Sequence, residues 1–160
     1  MKKNDNAHGE PREQCAALPF RIDDAGRIEV MLVTSRETRR WVIPKGWPIR
    51  KLRPNETAAR EAYEEAGLAG PVAAEPYGVY TYEKRLKSRA FVPCSVAVYL
   101  MEVRKEQKRW PEREERERRW FDPQTAAELV DEPELADLIA ALPDRLAADE
   151  TPCRKKASGG

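Results

Sequence analysis

Three glutamates, Glu61, Glu64 and Glu65, lie close together in a segment with a helical pattern. At 100° per residue they project from one side of the helix. The opposite face, which we expect to pack on a sheet, carries Ala59, Ala62, Tyr63 and Ala66. Like charges three and four residues apart in a helix repel each other, which indicates a positive group nearby. For the three glutamates taken alone, a solvated helix face screened by water and Arg60 is the favoured interpretation, and the wider sequence context favours a bound cation.

Other catalytic groups are scarce. His8 is the single histidine and lies in a polar segment, which excludes a Ser-His-Asp triad, a Cys-His pair and a histidine-rich zinc site. Cys15, Cys94 and Cys153 are widely spaced and form no C-x-x-C motif, a pattern typical of reduced thiols. Any hydrolytic chemistry must therefore depend on carboxylates, lysine or a hard metal ion.

The composition indicates one ordinary domain. The chain has 160 residues, with 29 basic and 28 acidic side chains, and this length is typical of a single core. Residues 1–11 and 149–160 are polar and lack periodicity, so we predict tails around a domain of residues 12–148. The longest apolar run is too short for a membrane span, and we see no signal peptide. We expect a cytoplasmic protein without a membrane partner.

Strand and helix patterns alternate along the domain. β-branched and apolar segments predict strands at 15–22, 28–34, 41–43, 77–82, 91–103 and 118–121. Pro19 predicts an edge or bulge position for the first of them. Helical patterns cover 55–66, ended by Gly67, a segment that follows Asp122, and a C-terminal helix along Leu135, Leu138, Ile139, Leu142 and Leu146. Such a mixture predicts an α/β fold with one sheet covered by helices.

The segment from Gly46 to Leu68 resembles the Nudix box, G-x5-E-x7-R-E-U-x-E-E-x-G-U. The matching positions are Gly46, Arg60, Glu61, Glu64, Glu65 and Gly67. The first glutamate of the box is replaced by Leu52. Shorter matches, at 14–17, 34–36, 40–46, after Glu83 and at 118–121, are similar to the diphosphoinositol polyphosphate phosphohydrolase branch of the family. Together these matches cover roughly residues 12–146.

The resemblance implies a Nudix α/β/α sandwich: a mixed sheet, a loop and helix formed by the box, and a C-terminal helix. It also implies hydrolysis of a diphosphate linkage with Mg²⁺, or Mn²⁺ in its place. By position, Glu61, Glu65 and the main-chain carbonyl of Lys45 would hold the metal, and Glu64 would be the base that activates water. These expectations concern the reacting centre.

The remaining box positions are expected to be structural. The resemblance places Gly46 and Gly67 at close contacts or turns, and Arg60 as an ion-pair partner of a glutamate. Whatever the glutamate missing at Leu52 does must come from elsewhere. Candidates for that role are Glu102, Glu106 and Glu112.

Basic side chains cluster away from the helix. Lys84, Arg85, Lys87 and Arg89 lie within six residues, and such a cluster attracts polyanions. The resemblance assigns substrate binding to Arg12, Gln14, Thr34, Ser35, Arg36, Lys84 and Arg85. We therefore expect a small, highly phosphorylated substrate, either a diphosphoinositol polyphosphate or a diadenosine polyphosphate.

Two other functions stay open. One is removal of pyrophosphate from RNA 5′ ends, in which Trp110, within the charged segment 104–119, would stack on a base. Mixed charges in that segment favour a solvated connection instead. The other is a Nudix module that binds a nucleotide or polyphosphate with little turnover, which the departure at Leu52 permits. The natural substrate, the number of metal ions and the oligomeric state are left open by the sequence.

Overall fold

The computed structural model describes the backbone of residues 11–159 and the side chains of residues 11–149. The predicted tail with His8 and the side chain of Cys153 lie outside these ranges. The elements are β1 Arg12–Ile22, β2 Ile28–Thr34, β3 Trp41–Val42, β4 Lys45–Gly46, α1 Pro54–Ala66, β5 Leu68–Ala69, β6 Gly78–Arg85, β7 Phe91–Glu102, β8 Lys105–Glu106, β9 Arg118–Phe121, α2 Pro123–Leu129 and α3 Pro133–Gly159.

The strands form a mixed sheet in the order β3-β2-β1-β7-β6, with β4 also paired to β1 and β9 to β2. Only the β1–β7 pair of this sheet is parallel among the described residues. β1 is central, so the edge position predicted for Pro19 is wrong. Along β1 the antiparallel pairing with β4 ends at Ala16, and the antiparallel pairing with β2 begins at Phe20. Pro19 lies between these two pairings. A residue without an N–H is tolerated at such a gap.

Alternation along β1 produces two cores, one on each side of the sheet. Ala16, Leu18 and Phe20 face one side, where they pack with α2 and α3, and the core residues of α3 are Leu135, Ile139 and Leu142. Cys15 and Ala17 face the other side and pack with α1, whose core residues are Ala58, Ala62 and Ala66. This period of two in side-chain direction explains the sandwich, and the predicted α/β/α fold is confirmed.

The box helix α1 has the predicted ends. The Arg53 N–H donates to Glu56 Oε1 at 2.8 Å at the start, and Gly67 ends the helix with a φ of 67° and an N–H bond to the Tyr63 carbonyl. Glycine is favoured there because a Cβ strains the left-handed conformation. The predicted sheet-facing surface is partly wrong, because Tyr63 is 41% exposed while Glu65 is buried.

The C-terminal helix has the predicted apolar stripe. Leu138 and Leu146 pack against the core beside the three buried residues of α3. The helix continues to Gly159, through the segment predicted as a tail, so the domain boundary at residue 148 stays a prediction. None of the described helices combines the length and the apolar character needed to cross a membrane.

Candidate active site

A polar cleft of about 490 Å³ lies between α1, the end of β6 and the loop after β2. This volume is typical of ligand-binding pockets. Both acidic and basic side chains line it. The lining residues are Gln14, Ser35, Arg36, Glu37, Thr38, Arg40, Val42, Lys45, Gly46, Trp47, Glu61, Glu65, Tyr82, Glu83, Lys84, Arg85, Glu112 and Arg116.

Glu61 and Glu65 form the acidic part of the cleft. Glu65 is only 6% exposed, and burial raises its pKa to about 8 even though Arg116 and Lys45 act to lower it. Burial also raises the pKa of Glu61, and a hydrogen bond with Glu65 acts in the opposite direction. Ionising both of two desolvated, hydrogen-bonded carboxyl groups costs free energy, because burial and the neighbouring negative charge both disfavour the ionised form. A cation placed between them would allow both to carry charge.

The backbone of β4 lies against this acidic pair. A Cβ on Gly46 would come within 2.5 Å of the Glu61 carboxylate, so a larger residue there would displace that side chain. The main chain of Lys45 and Gly46 is therefore beside Glu61, as the resemblance implies for a carbonyl ligand. The Lys45 ammonium is also buried, which lowers its pKa against the attraction of Glu65 and Glu132.

Glu64 contacts another residue of α1. Its carboxylate is 3.9 Å from Arg60, with side chains 36% and 50% exposed respectively, and it is not part of the cleft lining. Arg60 thus contacts a glutamate, as expected. On an ideal helix the predicted base is turned by about 100° from Glu65 and by about 60° from Glu61.

Most of the predicted substrate-binding residues meet in the cleft. Gln14, Ser35, Arg36, Lys84 and Arg85 line it. Gln14 is buried, and its Oε1 accepts a hydrogen bond from the Tyr82 hydroxyl at 2.6 Å. Arg36 also pairs with Glu115 at 3.1 Å. The cleft therefore has a basic wall opposite α1.

Arg12 and Thr34 do not line the cleft. Thr34 is buried; its hydroxyl accepts the Glu117 N–H at 2.9 Å, and its carbonyl accepts from Arg116 at 3.1 Å. Thr34 therefore accepts hydrogen bonds from Arg116 and Glu117 and does not face the cleft. Arg12 lies at the start of β1, two residues before Gln14.

The charged residues 104–119, here termed the connecting segment, hold the end of α1. Their donors bond to four consecutive carbonyls: those of Glu64, Glu65, Ala66 and Gly67. The donors are the Glu112 N–H, the Trp110 indole, the Arg118 guanidinium and the Gln107 N–H. The last carbonyls of a helix need such partners. Most residues of the segment are exposed, as predicted for a solvated connection, but these four hydrogen bonds anchor it to the end of α1.

The connecting segment also supplies two cleft residues, of which the sequence analysis named Glu112 as a candidate for the missing glutamate and did not single out Arg116. Glu112 and Arg116 line the cleft and pair at 2.6 Å, while Arg116 is 3.6 Å from Glu65. Of the three candidates for the missing glutamate, only Glu112 lines the cleft; Glu102 and Glu106 pair with Arg104 and Arg21. The signal in the sequence was the i,i+4 spacing of Glu112 and Arg116 beside a tryptophan.

The donor set fits a magnesium ion. Among the described residues, no three His, Cys, Asp or Glu side chains are close enough to enclose a metal by themselves. Mg²⁺ does not need this, since it takes one or two carboxylates and completes its shell with water and substrate phosphate. Glu61 and Glu65 provide that pair, with the β4 backbone beside them.

Comparison with known proteins decides the family. Residues 12–142 match the family model of the NUDIX domain. The chain belongs to the Nudix family. The box resemblance is thereby confirmed, and the α/β/α sandwich is the fold of a Nudix domain.

Relatives of this Nudix chain carry different names. It is 33% identical over 111 residues to Nudix hydrolase 12, mitochondrial, of Arabidopsis thaliana, covering 68% of this chain and 55% of that protein. It is 30% identical over 122 residues to diphosphoinositol polyphosphate phosphohydrolase 3-beta of Homo sapiens, covering 74% and 69% respectively. The chain spans about half the length of the plant relatives that match over 68% of it.

Solved structures support the same fold. A binary complex of a C. elegans Ap4A hydrolase superposes with a TM-score of 0.64 at 19% identity, covering 86% of this chain and 98% of that one. At this identity the likeness concerns the fold of the Nudix domain.

Proposed function

We propose that this Nudix protein is a Mg²⁺-dependent pyrophosphohydrolase that cleaves a diphosphate linkage in a highly phosphorylated small molecule. The observation that carries the proposal is the meeting of two kinds of group in one cleft. Glu61 and Glu65 face it from α1, and Lys84 and Arg85 face it from β6. Carboxylates suit the metal and cations suit the phosphates.

Each group in the cleft has a distinct part in this proposal. Glu61, Glu65 and the Lys45 carbonyl would hold Mg²⁺, which when bound polarises phosphoryl oxygens and makes bound water more acidic. Lys84 and Arg85 bind phosphate oxygens and orient the linkage to be broken. A carboxylate then accepts the proton of the attacking water.

We propose Glu112 as the carboxylate that compensates for Leu52. It lies in the cleft beside Arg116 and close to Glu65. The resemblance assigns the base to Glu64, which instead contacts Arg60. Within the cleft as it stands, Glu112 is better placed than Glu64 to accept a proton near the metal ligands.

The charge balance of the cleft favours a short polyphosphate chain. Arg36, Arg40 and Arg116 are paired with carboxylates. Within residues 11–149, Lys84 and Arg85 form no ion pair, although both line the cleft. A few free cations suit the phosphates of a diadenosine polyphosphate better than the many phosphates of an inositol ring.

The RNA alternative has less support. The Trp110 ring lies against Gly67 and under the Arg118 guanidinium, 4.0 Å from the ring centroid. Its faces are therefore engaged within the protein, and base stacking on it would require the end of α1 to be released.

A substrate panel tests the proposal. Purified protein with Mg²⁺ is given diadenosine tetraphosphate, a diphosphoinositol polyphosphate and 5′-triphosphorylated RNA, and products are separated by anion exchange. We expect the diadenosine compound to be cleaved with the highest kcat/KM. Glu65→Gln should lower kcat by about a thousandfold, since loss of a metal ligand removes several kcal/mol of transition-state stabilisation.

The same panel can contradict the proposal. Circular dichroism of the Glu65→Gln variant should be unchanged, so that lost activity cannot be ascribed to unfolding. Full activity in that variant would refute the ligand assignment. Tight binding of the compounds without turnover of any would identify a binding module, and preferential cleavage of RNA would move the substrate to 5′ ends.

A further inference from the structure

Trp47 is an exposed aromatic side chain in the wall of the cleft. It is 40% exposed and lines the cleft directly after Gly46. Two other large aromatic residues of the described chain, Tyr63 and Phe91, are exposed to a similar or greater degree, but neither lines the cleft. Single exposed apolar residues are ordinary on a surface, whereas an open indole inside a polar cleft offers a stacking surface to a ligand.

The backbone holds Trp47 in a fixed place relative to the proposed metal ligands. Gly46 packs directly on the Glu61 carboxylate, and the next Cα along a chain is 3.8 Å away. On the other side, the Pro48 ring restricts the backbone of Trp47. Further along the loop, the Ile49 N–H donates to the buried Thr57 hydroxyl at 3.3 Å. The backbone that carries the indole is therefore close to the metal ligands and restricted.

A cation lies on the same side of the cleft as the indole. The Lys84 ammonium is 6.0 Å from the Trp47 ring centroid, and it forms no ion pair within residues 11–149. This distance is near the outer limit of a cation–π contact, so Lys84 remains available to a phosphate. An aromatic surface and a phosphate-binding cation side by side match the two halves of a nucleotide.

We propose that Trp47 stacks on the base of a nucleotide substrate while Lys84 binds its phosphates, so that the cleft selects nucleoside polyphosphates over polyphosphates without a base. Every nucleobase has a flat π surface that stacks on an indole. An inositol ring is saturated and has none. This inference rests on the proposed function, to which it adds the residue that decides the class of substrate.

Calorimetry with two ligands separates the base from the phosphates. ADP and inorganic pyrophosphate are titrated with Mg²⁺ into wild-type protein, Trp47→Leu and Trp47→Phe. We expect Trp47→Leu to weaken ADP binding at least tenfold and to leave pyrophosphate binding within twofold. Trp47→Phe, which keeps an aromatic face, should retain ADP affinity within about threefold. A tenfold loss corresponds to about 1.4 kcal/mol.

Phe91→Leu is the matched control. Phe91 is 60% exposed, with the Arg85 guanidinium 5.9 Å from its ring centroid, yet it is outside the cleft. Its removal should change neither affinity. Equal weakening of ADP and pyrophosphate in Trp47→Leu, or no weakening of either, would overturn the inference.

The two proposals fail in different ways. If the protein cleaves diphosphates but Trp47→Leu leaves ADP affinity unchanged, the base-stacking inference alone is overturned. A protein that binds ADP through Trp47 but turns over no member of the substrate panel would overturn the proposed hydrolysis.

Discussion

Glu64 and Glu65 are neighbours in the sequence and occupy different environments. Glu65 is buried in the cleft near Arg116, whereas Glu64 is about one third exposed and lies 3.9 Å from Arg60. Each of these two glutamates therefore lies near an arginine. The side chain of Arg116, near Glu65, is largely buried, and that of Arg60, near Glu64, is half exposed. The contrast shows that the box motif alone does not decide which carboxylates line the cleft. The packing of α1 and the partners on its buried side decide it.

Substitution of the two arginines tests most directly whether the buried and exposed ion pairs differ. Arg116→Met should lower the free energy of unfolding by about 3 kcal/mol, because it leaves Glu65 and Glu112 in a desolvated site without their cation. Arg60→Met should cost less than about 0.5 kcal/mol, since exposed ion pairs contribute little. Urea unfolding in EDTA at pH 9, above the pKa of about 8 that Glu65 has in the wild-type protein, measures both. Similar losses for the two variants would show that the buried and exposed pairs are equivalent.

A second test compares the effects of Glu112 and Glu64 on kcat. Glu112→Gln should lower kcat by about a hundredfold, the scale of a lost general base, because Glu112 lies in the cleft. Glu64→Gln should lower kcat by less than about tenfold. Steady-state kinetics with diadenosine tetraphosphate gives both values. The reverse order would return the role of base to Glu64 and require it to leave Arg60 during the reaction.

A third test uses pH to compare the acidic residues. The pKa of Glu65 is raised to about 8 in the folded protein by burial, against an ordinary value near 4.5. The folded state therefore holds a proton that the unfolded state releases above pH 4.5, and this contribution to stability is present at low pH and lost as pH rises towards 8. The slope can reach about 1.4 kcal/mol per pH unit.

Urea unfolding in EDTA at pH 5, 6, 7 and 8 measures this slope. Glu65→Gln cannot titrate, so the difference between its pH profile and that of the wild type isolates Glu65. Glu64→Gln is the matched control, and it should keep the wild-type dependence. A wild-type profile that is parallel to that of Glu65→Gln between pH 5 and 8 would contradict a raised pKa.

Much of the candidate site followed from local signals. The spacing of Glu61 and Glu65 placed both on one side of a helix, and Gly67 marked its end, because helical periodicity and left-handed glycine caps are short-range features. The apolar stripe of α3 was equally local. Each of these needed only neighbouring residues to be recognised.

The parts that were missed depend on distant contacts. Arg116 was not placed in the cleft, and Glu112 was one of three candidates without a choice between them, because both lie among mixed charges, which favoured a solvated segment. Contacts of the segment with α1 and β2 bring them to the cleft. Tyr63 was expected on the buried face of α1. Glu65 is buried instead, beside Arg116 and Lys45, which attract its charge. A buried glutamate is rare without such partners, and the sequence does not show them.

The contact between the connecting segment and the end of α1 has a consequence for the length of that segment. Surface segments between strands ordinarily accept added residues. Here Gln107, Trp110 and Glu112 bond, in that order, to the carbonyls of Gly67, Glu65 and Glu64. One extra residue between Gln107 and Glu112 would displace donors from these carbonyls, so we expect an insertion in this exposed segment to destabilise the end of a helix that is remote from it in sequence.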